Sequence, residues 1–169
     1  MAANQDPERL RAENARGERL MAAASLLVAA RSGTLATLHA GLPHASLVTP
    51  GPDTDGQPVL LLSSLAAHTR HLRDNPACAL LVTGQPQNEN PQTTPRLCLS
   101  GIARPVAAQA VREGYLKLHP YAAQYADFGD FGFWKITITK SQYIGGFANA
   151  CYLDVAALQH EISARLRGG

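Results

Sequence analysis

Between residues 34 and 63 the chain alternates short apolar runs with turns and leaves no room for a helix. Residues 34–40 (TLATLHA) read as a strand closed by Gly41, residues 44–49 (HASLVT) as a second, and residues 59–63 as a third, apolar enough to be central and buried on both faces. The second and third flank PGPDTDGQP, where Asp55-Gly56 after two prolines predicts a tight turn joining antiparallel strands. Parallel strands need a crossover of a dozen or more residues, and these three have none. The sheet is therefore expected to be antiparallel. Further strands are predicted at 78–83, 96–106 and 133–144. In the last, Trp134, Ile136 and Ile138 alternate with Lys135, Thr137 and Thr139. Gly101 inside the fifth strand predicts a bulge or a close backbone approach. With helices at 16–31, 65–75 and 107–118 and a weakly helical tail, the expectation is a mainly β fold. It is a six-stranded antiparallel barrel with a few flanking α-helices.

A length of 169 residues fits one domain and excludes a protein kinase or a TIM barrel. The division expected is a flexible segment at 1–15, the barrel domain at 16–152 and a helical tail at 153–169. Fifteen basic and thirteen acidic residues leave a net charge of +2. The basic residues are scattered without interleaved aromatics, so no nucleic-acid partner is expected. Residues 20–30 resemble the apolar part of a signal peptide. However, acidic residues precede them, and Leu20, Ala23, Ala24, Leu27 and Val28 form a helical stripe. No run approaches a membrane span, so no membrane partner is expected. Cys78, Cys98 and Cys151 lack disulfide or zinc spacing and read as buried small side chains in a reducing, cytoplasmic compartment.

GxGxxG, GxxxxGK[ST] and GxSxG are all absent, which disfavours a Rossmann site, a P-loop and a hydrolase elbow. DFG occurs twice across residues 127–132, without the other kinase motifs, and reads as a turn feeding aromatics into the core. His68 and His71 have no matching carboxylate or thiol for a metal. His68 lies on the stripe Leu65, His68, Thr69, Leu72 and is expected to face the barrel, where it needs a partner or a ligand.

Residues 60–82 (LLLSSLAAHTRHLRDNPACALLV) hold a buried strand, a serine pair, a short helix and a second strand. Helix-start amides, the hydroxyls of Ser63, Ser64 and Thr69, and the Arg70 guanidinium would suit a phosphate. An ordinary capped helix with a solvated arginine fits the same residues equally well.

LLLSSLAAHTRHLRDNP, RLCLSGIARPV, HPYAAQYADFGDFGFWKI and IGGFANA, in that order, resemble the FMN-binding split β-barrel proteins. Within them the similarity points to the pyridoxamine 5′-phosphate oxidase-related, HugZ-like branch concerned with haem utilisation. It covers about residues 32–150. The resemblance implies a six-stranded split barrel that forms a homodimer with FMN at the interface, acting as an oxidoreductase on an unknown small molecule. It places the strand carrying Ser46, Leu47 and Val48 along the flavin ring, and Ser63 and Ser64 on the flavin and its ribityl chain. His68, Thr69 and Arg70 fall at the phosphate, and Arg96 reaches the flavin from the partner or a neighbouring strand. Where the oxidases carry an Arg-Lys pair this chain has Ala67-His68, and it shows no stretch like their substrate-holding tail. Pyridoxal phosphate synthesis is therefore not expected. The alternative implied by the branch is haem binding and degradation, with His160 as the candidate ligand. A third possibility is a non-catalytic dimer on the same barrel.

Overall fold

The computed structural model describes residues 7–86, 88–146 and 149–168. Among them lie β1 (Gly33–His39), β2 (Leu42–Val48), β3 (Pro50–Pro52), β4 (Pro58–Ser63), β5 (Ala77–Thr83), β6 (Arg96–Pro105), β7 (Phe131–Ile144) and β8 (Ala150–Leu153). The helices are α1 (Pro7–Ala29), α2 (Ala67–Asp74), α3 (Ala108–Leu118) and α4 (Val155–Gly168). All strand pairs are antiparallel, in the order β2-β1-β5-β6-β7-β4-β3, with β8 added to the far half of β7. The two ends of this path, β2 and β3, are separated in sequence only by Thr49. The sheet therefore curls until its edges meet at one residue, as in a split barrel.

Eight strands replace the six expected, because β3 and β8 are too short to show a period. Helices contribute about as many residues as strands, so the fold is mixed α/β rather than mainly β. The Asp55-Gly56 turn forms, with Gly56 at φ +75° and its N–H donating to the Asp53 carbonyl at 3.0 Å. It joins β4 to β3, however, and not to the strand at 44–49. That strand is committed to β1 by the two-residue turn Ala40-Gly41, whose φ values of 49° and 80° are both positive, as a type I′ hairpin requires.

The helix expected at 16–31 begins at Pro7, where a proline suits the first helical position. Residues 8–13 are exposed, and an Arg9–Glu13 ion pair at 3.0 Å spans one turn there. Further along, Ala23, Ala24 and Leu27 are fully buried, as the stripe predicts. They join Leu35, Leu80, Leu97, Leu99 and Ile136 in the main core, to which α4 adds Leu158 and Ile162. β4 is buried on both faces: Leu60 and Leu62 point into the barrel, and Val59 and Leu61 pack beneath α3 against Val111, Tyr115 and Phe133. The three cysteines are free and half-buried rather than fully buried. No helix among the described residues is long and apolar enough to cross a membrane.

Candidate functional site

α2 lies across the β1–β2 hairpin, and the contact is made of imidazoles. His71 is buried and shares a 3.1 Å hydrogen bond between its Nδ1 and the Thr37 hydroxyl. The His39 ring stacks on it at 4.8 Å and His44 meets it edge-on at 5.1 Å. The register explains the meeting: Thr37 sits opposite His44, and His39 follows on the same face of β1. His68, one turn earlier on α2, is half-buried. Burial first, and then the neighbouring His44 and His71, hold its pKa below the ordinary histidine value. Burial followed by His39 and His44 does the same for His71. No group of three or more metal-ligating residues among those described could hold a metal ion.

His68 also lines a groove of about 310 Å³ walled by Leu47, Val48, Leu61, Tyr125 and Phe131, with Ser63 at its edge. Of the residues picked out from sequence, Leu47, Val48, Ser63 and His68 thus come together. Ser46, half-buried on β2, is paired with Leu35. Leu65 is not on the buried stripe. It precedes the first turn of α2 and is 74% exposed.

Part of the expected phosphate cradle is taken up by the chain itself. Ser63 Oγ donates to Asp130 Oδ2 at 2.6 Å and accepts from the Leu65 N–H at 3.1 Å. The Ser64 N–H donates to the Asp130 carbonyl at 2.6 Å. Thr69 Oγ1 donates to the Ser63 carbonyl at 2.7 Å, and Arg70 Nη1 to that of Leu65 at 2.6 Å. The Ser63 and Thr69 hydroxyls and one Arg70 nitrogen thus already have acceptors, and the Asp130 carboxylate would repel a second anion. Ser63, whose hydroxyl holds Asp130, is therefore not free for the phosphate of FMN within one chain. Ser64, Thr69 and Asp130 instead border a separate cleft of about 260 Å³ with Arg73, which the sequence did not single out.

Arg96 lies opposite Thr83 at the far end of the β5–β6 pair, six residues along from Ala77, where β5 leaves α2. That is roughly 20 Å at about 3.3 Å per residue. Its Nη1 donates to the carbonyls of Gln92 and Thr94. His160 is exposed on α4, whose packing partners are α1 and β7 rather than the hairpin and α2. Phe147 of the IGGFANA motif lies outside the described residues. Sequence reasoning missed Asp130, Tyr125 and Phe131. Asp130 is 67 positions from the serine it holds, and the pairing of β4 with β7, which sets Ser63 opposite Phe131, brings them together.

The family model "CREG, beta-barrel" matches residues 12–159. The chain is 40% identical over 120 residues to "Non-canonical heme oxygenase HOZ, chloroplastic" of Arabidopsis thaliana, a match covering 69% of this chain and 36% of that protein. The chain thus spans about a third of the length of this curated relative. Among solved structures it resembles a heme binding protein from Mycobacterium smegmatis, with a TM-score of 0.75 and 28% identity over 86% of this chain and 60% of that one. The heme storage protein HutZ of Vibrio cholerae has the same fold, with a TM-score of 0.56 at 19% identity over 76% of this chain and 88% of that one. The curled sheet with its edges one residue apart, and a family match spanning nearly all of it, lead to one conclusion: the chain belongs to the CREG β-barrel family.

Proposed function

We propose that this protein is a haem-binding split-barrel homodimer with haem as its substrate. The observation that carries the reading is His68, an imidazole whose pKa burial lowers, favouring the neutral form, and which faces a groove of leucine, valine and aromatic side chains. A neutral imidazole is the form that ligates iron, and an apolar wall suits the face of a porphyrin. Similarity to a haem oxygenase and to a haem-binding protein supports the same reading. Haem supplies redox chemistry at its iron. Of the chain's own residues, His68 would ligate the iron, and Leu61, Tyr125 and Phe131 would cover the ring against water. Three free cysteines suit a reducing, cytoplasmic compartment.

Hemin titration tests the reading. The wild type is expected to shift the Soret band saturably. His68→Ala is expected to weaken binding at least about tenfold, as loss of a metal-site residue commonly does, while His160→Ala leaves it unchanged. Loss of the bound Soret band on adding ascorbate under air would mark haem as substrate rather than cargo. An unaltered hemin spectrum with wild type removes the proposal. FMN is the second reading, favoured by the convergence of Leu47, Val48 and Ser63 on one groove. Quenching of FMN fluorescence on adding the protein would support it, against the repulsion expected from Asp130.

A further inference from the structure

A third cavity, of about 370 Å³, lies on another part of the molecule from the His68 groove. Its floor is the β3–β4 hairpin, one wall is α3, and the other is built from α1 and α4. Val28, Val59, Val111, Leu118 and Leu166 make it apolar. Its volume falls within the range of small-molecule pockets, about 300–1,000 Å³.

The charges at its rim have a definite sign. Asp53 borders the cavity, but its carboxylate is already engaged: Oδ2 pairs with Lys135 Nζ at 2.7 Å, and Oδ1 accepts the N–H groups of Asp55 and Gln57. Arg165 uses Nε on Glu161 at 3.2 Å, so its two terminal nitrogens are not committed to that pair. Lys117 is exposed and has no ion-pair partner among the described residues. The cavity is thus apolar inside with unspent positive charge at its mouth.

Gly114 adds an independent observation. It sits in the interior of α3, where glycine is unfavourable relative to alanine, and it needs no special backbone geometry. A Cβ built there would meet nothing within 4 Å. Local packing therefore does not require the glycine, whereas close approach of a ligand to the helix backbone would.

We infer that the cavity between α3, α4 and the β3–β4 hairpin is a binding site for an apolar monocarboxylate, with the tail against Gly114 and Val111 and the carboxylate at Lys117 and Arg165. Calorimetric titration with octanoate on the full chain tests this, with octylamine as the probe of opposite charge. Octanoate is expected to bind saturably and octylamine at least tenfold more weakly. Gly114→Leu, which fills the cavity and favours the helix, is expected to abolish octanoate binding while leaving the melting temperature equal or higher. Lys117→Glu, at an exposed position, is expected to weaken octanoate at least tenfold. Hemin titration of both variants should match the wild type, which separates this site from the His68 groove. Absence of saturable octanoate binding, or equal binding by Gly114→Leu, overturns the inference.

Discussion

His119 is fully buried under β3, with Nε2 donating to the Pro50 carbonyl at 2.9 Å and Nδ1 left without a partner among the described residues. Protonation would place a charge and an unmatched N–H in the interior, and burial accordingly lowers its pKa. His68 and His71 are shifted in the same direction. Each binds its proton more tightly in the unfolded chain, so stability is fully present above about pH 6.5 and is lost as pH falls from there toward the folded values. Urea midpoints are expected to fall between about pH 7 and pH 5, ahead of carboxylate protonation. His119→Gln, which can keep the Nε2 donor but does not titrate, is expected to flatten that slope, and an unchanged slope would reject the assignment. Little of this was legible in the sequence. HTRH drew attention to His68, yet His71 is the deeper residue. Its partners Thr37, His39 and His44 come from a hairpin whose register depends on two positive-φ residues at the turn.

At the scale of elements, β7 shows how one irregularity organises the barrel. Trp134, Ile136 and Ile138 face the core, but beyond them Ser141 and Tyr143 do. The inward face changes parity because Ser100 and Gly101 of β6 pair with Lys140 and Ile138, leaving Thr139 as an extra residue. At the bulge the two backbones close up. A Cβ on Gly101 would lie against the Thr137 carbonyl and within 2.9 Å of Ile136 Cγ2. Backbone cannot yield as a side chain can, so Gly101→Ala is expected to destabilise the fold by about 1–3 kcal/mol, the usual cost of overpacking. Chemical denaturation would measure it, and a loss below about 0.5 kcal/mol, the scatter of ordinary surface substitutions, would refute the account. The glycine signal and the alternation of 133–138 were readable because both are local. The pairing of β3 with β4 was not, since three residues carry no period.

Across the whole molecule, the outer face of β2, β1, β5 and β6 is left bare by the helices. Leu35, Thr37, Leu80, Val82, Leu97 and Leu99 point inward and are buried. The alternate positions meet in register on the outside: Leu47 beside Thr34, Ala45 beside Ala36 and Pro43 beside Leu38 on β2–β1, then Ala79 beside Ser100 and Leu81 beside Cys98 on β5–β6. None of these is charged, and Leu47 is 79% exposed. A largely apolar face, with Arg96 and Arg104 at the two ends of β6 and the edge of β2 without a strand partner among the described residues, is what a second copy of the chain would cover, and it supports the homodimer proposed above. Ala36 lies near its middle, between Ala45 and Ala79, and lines neither the His68 groove nor the cavity under α3. Ala36→Glu would bury an unpaired carboxylate in the dimer while leaving a monomer solvated. It is expected to raise the dimer dissociation constant by roughly a hundredfold, the counterpart of about 3 kcal/mol. Sedimentation equilibrium decides the matter, because a monomeric wild type or an unaffected variant removes this face as the interface. Leu47 belongs both to this face and to the His68 groove, so the partner would stand at the groove's rim. Dimer disruption by Ala36→Glu should therefore weaken hemin binding without touching a residue of the groove, whereas unchanged hemin affinity in the monomer would mean that each chain holds its haem alone.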